Sequence, residues 1–295
     1  MPEKFLFAGN DSTHQAAAVD MLGKCFDEWV DFAAVYGKKF PFLEESFVCY
    51  DENNSMLGHV GIMPFEIFDG KGGTLRCAGL ASVGTAPEAR NRGIANKLCS
   101  MAAEWAKAEG FDIMLLYTAA ARVYEKSAWK KFVPDNIILQ NPAPAAPQYA
   151  WKSSAELTDS EKAVIIECYN TSKPFSGKIK RSSDSKFFHS WQWMWQNPLA
   201  RWQVNDSMYV LMIEDVIAEI NGNPDPQTLQ HLLGSASSAF LSPQDPAVKL
   251  LQQLSWSAAP SSETPACWHG EAAMYKPLNG NTLPLITAMP LADKF

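Results

Sequence analysis

The turn that precedes Ile94 carries residues that could bind a phosphate group. An apolar segment ends there, Arg90, Arg92 and Gly93 form the turn, and helix-forming residues follow at once. A helix that begins in such a turn directs several backbone N–H groups and the positive end of its dipole into the turn. Because Gly93 and Ala95 carry little or no side chain, the backbone can approach a diphosphate closely. These residues predict a pyrophosphate-binding loop.

The composition of the chain limits the classes of function. The chain has 295 residues, a net charge of −7 and a pI of about 5.3. Its length favours two domains over one core. A general nucleic-acid-binding protein is normally basic, so we expect no nucleic-acid partner. An acidic surface is compatible with cationic substrates such as amines.

The cysteines and histidines suggest neither a metal site nor a disulfide framework. The six cysteines include no C-x-x-C pair, and the five histidines are dispersed. This pattern favours free thiols in a reducing compartment. Since the first residues lack the apolar core of a signal peptide and no apolar run reaches 18 residues, we expect a cytoplasmic protein with no membrane partner.

A proline-rich segment divides the chain almost in half. Residues 141–148 contain three prolines, which predict an extended linker. We therefore expect an N-terminal domain over residues 1–140 and a C-terminal domain over residues 149–295.

The first half has the pattern of a mixed α+β fold, with a mostly antiparallel sheet flanked by helices. Asp11 and Ser12 can cap its first helix. The pattern then predicts strands at 47–50, 56–63, 65–68 and 74–83, a helix over 94–110, a strand at 111–117, a helix through Tyr124 and a strand near Phe132.

The second half has the pattern of a degenerate copy of the first. We expect helices over 159–169, from about Ser183 and from Pro246, strands at 202–204, 209–213 and 216–220, and a last strand at 272–278 that completes the sheet of this half. No arginine–glycine turn precedes the helix at Pro246, so the copy is expected to lack the phosphate loop.

The loop resembles the cofactor loop of one enzyme superfamily. Its pattern Arg90-x-x-Gly93-x-Ala95 matches the signature [QR]-x-x-G-x-[GA] of the GNAT acetyltransferases. The resemblance implies the GNAT fold, acetyl-CoA (CoA) as cofactor, and antiparallel strands that splay apart after Val83 to hold the pantetheine arm. The residues that it implies for cofactor binding are Val83, Thr85, Arg90, Asn91, Arg92, Gly93, Ile94 and Ala95.

A second segment strengthens the resemblance. Residues 117–132 are similar to the family's segment in which a tyrosine precedes a turn of the form Lys-x-Gly-Phe, although Ala128 and Trp129 replace Gly and Phe. The resemblance implies that Tyr124 is the general acid that protonates the departing thiolate. A phenol suits this task because it is neutral at pH 7 and can donate a hydrogen bond to sulfur.

The general base is missing from its usual place in the family. Many GNAT enzymes use a glutamate on the strand before the loop, but residues 74–86 contain no carboxylate. Glu66 on the preceding strand is a candidate base. Otherwise the base lies elsewhere, or the substrate amine loses its proton to water.

The tandem arrangement is similar to that of the Eis-like (enhanced intracellular survival) acetyltransferases. The second half carries the motifs that bear this resemblance, namely Cys168-Tyr-Asn170, Arg181-Ser182, Trp191-x-Trp193-x-Trp195 and Met274-Tyr-Lys-Pro-Leu278. The family usually adds a sterol-carrier-like domain whose terminal carboxylate acts as base. Residues 279–295 are too few for that domain, so we expect it to be absent. Whether the Phe295 carboxylate takes that role stays open.

These features together predict an acetyl-CoA-dependent N-acetyltransferase that acts on a primary amine of a small molecule or peptide by direct attack in a ternary complex. Two alternatives stay open. The absent strand carboxylate favours a non-catalytic acyl-CoA-binding regulator or interaction protein. The small residues Ala78, Gly79 and Ala81 leave room for an N-acyltransferase that uses longer acyl chains. The sequence does not indicate an oligomeric state.

Overall fold

The computed structural model of the protein describes residues 3–9, 11–26, 45–144, 150–181, 198–223, 225–260 and 271–279. Within these ranges the chain forms fifteen strands and six α-helices. The strands form two sheets, with one hydrophobic core around the first sheet and two around the second. The mixed α+β fold predicted from the sequence is confirmed.

The first part of the chain supplies most of the first sheet and its helices. In chain order these elements are β1 (Lys4–Phe7), α1 (Ser12–Leu22), β2 (Glu45–Tyr50), β3 (Met56–Phe68), β4 (Thr74–Thr85), α2 (Ile94–Ala108), β5 (Ile113–Thr118), α3 (Arg122–Glu125) and β6 (Lys130–Phe132).

The remaining elements follow in the order β7 (Ile137–Gln140), β8 (Lys152–Ser153), α4 (Asp159–Thr171), β9 (Ile179–Lys180), β10 (Ala200–Val204), β11 (Met208–Ile213), β12 (Val216–Gly222), α5 (Pro226–Leu233), β13 (Ser238–Leu241), α6 (Pro246–Gln253), β14 (Ser257–Ala258) and β15 (Ala272–Pro277). The helix predicted from Ser183 and the tryptophan run at 191–195 lie outside the described residues. In the part of the chain that is described, no helix is long and apolar enough to cross a membrane.

The two sheets have the same plan. The first has the order β1-β2-β3-β4-β5-β15-β6, with β9 paired to β3, and the second has the order β14-β7-β13-β12-β11-β10-β8. In each sheet three antiparallel strands lead into a helix and then into a strand parallel to the third. These parallel pairs are β4 with β5 and β12 with β13. The second half thus repeats the arrangement of the first. We call β2–β5 with α2 the first frame, and β10–β13 with α5 the second frame.

Strands are exchanged between the two halves of the chain, and β9 of the second half pairs with β3 of the first sheet. Strand β15 lies between β5 and β6 of the first sheet, and β7 lies between β13 and β14 of the second. The prediction that residues 272–278 complete the sheet of the second half is therefore wrong. The domain boundary at residues 141–148 stays a prediction, but β7 before it joins the second sheet and β15 after it joins the first.

Helix α2 docks closely on β3 because a glycine makes room for it. A Cβ atom at Gly58 would lie 2.6 Å from Cγ2 of Ile94 and 3.1 Å from Cδ1 of Leu98. Both side chains belong to the buried face of α2. Since Ile94 is the first residue of α2, this contact also fixes the end of the helix where the predicted phosphate loop lies.

We predict that Gly58→Ala lowers the free energy of unfolding by about 1–3 kcal/mol, because the added methyl group overpacks the contact with Ile94. Urea denaturation followed by circular dichroism measures this change. Gly23→Ala is the control, since Gly23 has φ −59 and its nearest neighbour to an added Cβ is a carbonyl oxygen at 3.4 Å. An equal effect of the two substitutions would contradict the close packing at Gly58.

Candidate active site

The predicted phosphate loop leads directly into an uncapped helix. Strand β4 ends at Thr85, a 3₁₀ turn follows, and Gly93 stands at the N-cap of α2 with φ 78, a left-handed conformation that favours glycine. No side chain caps this helix end. The first intrahelical hydrogen bond runs from the N–H of Lys97 to the carbonyl of Gly93. Within the described residues, the N–H groups of Ile94, Ala95 and Asn96 thus have no acceptor.

Helix α2 differs from the other long helices in the way its N-terminus is capped. Helices α1, α4, α5 and α6 each have an Asp or Thr at the N-cap whose side chain accepts a backbone N–H; these residues are Asp11, Thr158, Asp225 and Asp245. Among the described helices of eight or more residues, α2 alone lacks such a cap. Its orphan N–H groups and the helix dipole form a site that favours an anion.

Cationic side chains surround the loop. Arg90 is exposed. Arg92 makes an ion pair with Glu3, with its guanidinium nitrogen 2.6 Å from the carboxylate oxygen. The ammonium of Lys97 lies 3.7 Å from the centre of the Phe5 ring. Glu3 and Phe5 therefore connect the first segment of the chain to the loop, a connection that the sequence pattern did not indicate.

A half-buried thiol contacts the end of β4. The Sγ–H group of Cys25 donates a hydrogen bond of 3.3 Å to the carbonyl of Thr85. Burial raises the pKa of Cys25, and the nearby Arg90 opposes this rise. The neutral thiol thus fixes the end of β4 from which the loop departs.

The loop fits the diphosphate of a nucleotide cofactor. A Cβ atom added at Gly93 would meet no heavy atom within 4 Å, so open space lies over the loop at this residue. The helix that begins at Gly93 has no side-chain cap, and Arg90, three residues earlier, is exposed. Unpaired backbone donors, open space and positive charge are what a bound diphosphate requires.

Strands β4 and β5 separate at the site. They pair in parallel only through Cys77, Ala78 and Gly79 of β4, opposite residues 113–115 of β5. From Leu80 onward neither strand has a register partner on the other. The separation therefore begins after Gly79, whereas the sequence placed it after Val83 and between antiparallel strands. The wedge between β4 and β5 leaves backbone groups of both strands without partners in the sheet.

A bulge in β4 lies inside this wedge. His59 pairs with Gly84 and Gly61 pairs with Ala81, so Ser82 and Val83 together face the single residue Val60 of β3. Ser82 has φ 52, which is unusual for a serine. Val83 thus lacks a register partner on β3 as well as on β5.

The phenol of Tyr124 lies beside α2. Tyr124 is 8% exposed on α3, its ring lies 6.0 Å from that of Trp129, and its hydroxyl makes no hydrogen bond within the described part of the chain. Its pKa is raised, chiefly by burial and also by the neighbouring Cys99, which belongs to α2. The fold therefore brings Tyr124 to the helix that begins at the loop, five residues after Ile94.

The turn after Tyr124 is held by the exchanged strand. The ammonium of Lys276 on β15 donates a 3.1 Å hydrogen bond to the carbonyl of Ser127. Ala128, at the position where the resemblance expects glycine, has φ 62. This left-handed conformation explains why glycine suits the position. The role of Lys276 could not be predicted, because nothing in the local sequence indicates that β15 joins this sheet.

Glu66 is not at the site. It pairs in register with Arg76, and its carboxylate lies 2.9 Å from the ammonium of Lys180. Arg76 lies nine positions before Thr85 on β4. At the rise of an extended strand this is about 30 Å. The suggestion that Glu66 is the general base is therefore wrong. Phe295 lies outside the described residues.

The equivalent helix end in the second half is closed to anions. The helix that corresponds to α2 is α5, after β12, and not the helix at Pro246 as the sequence suggested. Its N-cap residue Asp225 accepts the N–H of Thr228 at 3.0 Å. The Asp225 carboxylate accepts the N–H that a phosphate would otherwise bind, and its negative charge repels a phosphate.

The gap between β12 and β13 is also filled. The ammonium of Lys178 lies there, 4.2 Å from the Tyr169 ring and 3.4 Å from the side-chain oxygen of Asn221. Glu219 makes a buried ion pair with Arg181, with 2.8 Å between the charged atoms. In the described residues the second frame thus has side chains where the first frame has a wedge.

Comparison with known proteins agrees with this geometry. Residues 11–132 match the family model of the acetyltransferase (GNAT) domain. A search of curated protein sequences finds no match.

Solved structures of similar fold cover nearly the whole chain. Eis1 from Mycobacterium abscessus matches with a TM-score of 0.60 at 12% identity, over 94% of this chain and 74% of its own. A GCN5-related N-acetyltransferase from Anabaena variabilis matches with a TM-score of 0.62 at 17% identity, over 94% and 73%. A probable N-acyltransferase from Enterococcus faecalis matches with a TM-score of 0.59 at 12% identity, over the same shares. At these identities the likeness shows the fold.

We predict that Glu3→Gln tightens the binding of acetyl-CoA about 2- to 5-fold, since removal of an exposed ion pair worth up to about 1 kcal/mol frees Arg92 for the phosphates. Isothermal titration calorimetry at low salt measures the dissociation constant. Glu109→Gln is the matched control, because it makes the same charge change at the other end of α2. Weaker binding by Glu3→Gln, or an equal gain in the control, would contradict the competition for Arg92.

Proposed function

Because residues 11–132 are a GNAT acetyltransferase domain, we propose that this protein transfers an acetyl group from acetyl-CoA to a primary amine by direct attack in a ternary complex. Acetyl-CoA supplies the activated thioester that the amine attacks. The observation that carries the proposal is the convergence of three features at one end of α2: unpaired N–H groups, the wedge between β4 and β5, and the phenol of Tyr124.

The loop at Arg90–Ala95 binds the diphosphate of acetyl-CoA and orients the cofactor. The N–H groups of Ile94 and Ala95 donate to the diphosphate, and Arg90 and Arg92 add charge, with Arg92 leaving Glu3 to do so. Asn91, in a left-handed conformation with φ 65, gives the loop its curvature. Because the diphosphate is bound away from the reacting carbon, its binding holds the thioester in place and lowers the entropic cost of the reaction.

Val83 stabilises the developing charge. Its backbone N–H lies in the bulge of β4 and has no register partner on either neighbouring strand. We assign this N–H the hydrogen bond to the thioester oxygen, which gains negative charge as the amine attacks. Fixed backbone donors of this kind contribute strongly to acyl transfer because they need no reorganisation. Thr85 lies two residues further along the same strand. Its carbonyl accepts the hydrogen bond from the Cys25 thiol, which holds the end of the strand.

Tyr124 protonates the leaving group. Burial raises the pKa of its phenol above the ordinary value of a tyrosine, so the hydroxyl keeps its proton throughout the neutral range. A hydroxyl with no acceptor in the described protein can donate to the sulfur as the carbon–sulfur bond breaks. The proton lost from the attacking amine goes to water, because residues 74–86 of the cofactor strand contain no carboxylate to accept it.

The acceptor is a primary amine of a small molecule or peptide. The net charge of −7 favours the approach of a cationic acceptor, which must lose a proton before it attacks. An amine that carries further positive charges gains most from this attraction. The described residues of the second frame form no second cofactor loop, so we propose one active site per chain.

We predict that Tyr124→Phe lowers kcat about 100-fold or more with little change in the dissociation constant of acetyl-CoA, because the substitution removes the proton donor and keeps the ring. Release of CoA with a panel of amines, monitored with a thiol reagent, measures kcat. Tyr275→Phe is the control, since it removes a hydroxyl from β15, where the Tyr275 ring packs against Phe132. A kcat of Tyr124→Phe equal to that of the wild type would remove Tyr124 from the mechanism.

A further inference from the structure

The bulge in β4 needs a partner that holds it. Ser82 has φ 52, a backbone conformation that costs a non-glycine residue free energy and that persists where neighbouring contacts fix it. Without the bulge, Ser82 and Val83 would continue the ladder to β3, and the N–H of Val83 would be used inside the sheet. The contact that fixes the bulge therefore also decides whether Val83 is available to a ligand.

A buried histidine makes that contact. Nδ1 of His59 lies 2.9 Å from the carbonyl oxygen of Ser82, and Nε2 lies 3.2 Å from the hydroxyl of Ser46. His59 is 1% exposed and Ser46 is 4% exposed. The three residues lie on β3, β4 and β2, so one imidazole connects three adjacent strands at the level of the bulge.

The partners of the ring determine its tautomer. A carbonyl oxygen can only accept, so Nδ1 of His59 carries the proton and donates it to Ser82. Nε2 is then an acceptor, and the hydroxyl of Ser46 donates to it. Burial lowers the pKa of His59 to about 4, so the ring is neutral at physiological pH and has one donor and one acceptor, each with its partner.

We propose that His59 is a positioning residue for acetyl transfer, which holds the bulge of β4 by its bond to the Ser82 carbonyl and thereby presents the N–H of Val83 to the thioester oxygen. The proposal rests on the proposed function, in which Val83 supplies that donor. His59 does not touch the reacting atoms. It acts on the step that builds negative charge and has little effect on binding of the diphosphate, because the loop at Arg90–Ala95 is held separately.

Two amide variants of His59 test whether the position of its hydrogen-bond donor matters. Both keep a polar side chain, but they place the amide N–H at different points. His59→Asn can place a side-chain N–H where Nδ1 lies, whereas His59→Gln places its amide nearer to Nε2. We expect His59→Gln to lower kcat about 10- to 100-fold, since a displacement of about 1 Å in a catalytic donor has an effect of this size. His59→Asn should restore kcat to within about 3-fold of the wild type. Both should keep the dissociation constant of acetyl-CoA within about 3-fold.

The opposite results would overturn the proposal. If His59→Gln keeps the kcat of the wild type, or if both variants lose kcat and acetyl-CoA binding to the same extent, His59 has a purely structural role. Failure of the proposed function gives a different result, in which the wild-type protein itself releases no CoA with any amine.

A measurement on the unmodified protein does not depend on whether the variants fold or on turnover. Nitrogen-15 NMR of histidine-labelled protein distinguishes a protonated from an unprotonated ring nitrogen. We expect His59 to have a protonated Nδ1 and an unprotonated Nε2 across the neutral pH range. An unprotonated Nδ1 could not donate to the Ser82 carbonyl and would overturn the proposal, whatever the activity of the enzyme.

Discussion

The N-terminus of α2 is built to leave its hydrogen-bond donors unused. A side-chain cap at a helix N-terminus is typically worth about 1 kcal/mol, and the other described helices of eight or more residues each have one. At α2 Gly93 stands in that place and offers no acceptor. The helix is instead secured by packing, through the close contact of Ile94 and Leu98 with Gly58. The stability that a cap would add is given up so that a ligand can take its place.

The rest of the site extends from this helix end. The wedge between β4 and β5 opens beside α2, the bulge at Ser82 and Val83 lies within that wedge, and Tyr124 packs near the second turn of α2. The second frame of the protein shows what the same plan becomes without a ligand. There Asp225 caps α5. Beside β12, Lys178 donates to Asn221 and Glu219 pairs with Arg181.

The sequence predicted the features that are local in the chain. The Arg–Gly turn, the helix capped by Asp11 and the short helix through Tyr124 are each encoded within a few residues, so their patterns could be read directly. Features that depend on distant segments could not. The exchange of β7 and β15, the separation of β4 and β5 at Gly79, and the bond between His59 and Ser82 join segments whose pairing no local pattern determines. Glu66 was a reasonable candidate by type, but the register of β3 and β4 places it at the opposite end of the strand.

Hydrogen exchange with and without acetyl-CoA tests whether the uncapped start of α2 is the acetyl-CoA site. We expect saturating acetyl-CoA to slow exchange of the backbone N–H groups of Ile94, Ala95 and Asn96, and of Val83 in the bulge. We expect no change at residues 227 and 228 in the first turn of α5, where Asp225 already caps the helix end. Protection at α5, or unchanged exchange at the start of α2 under saturating acetyl-CoA, would contradict a single acetyl-CoA site built on the uncapped helix.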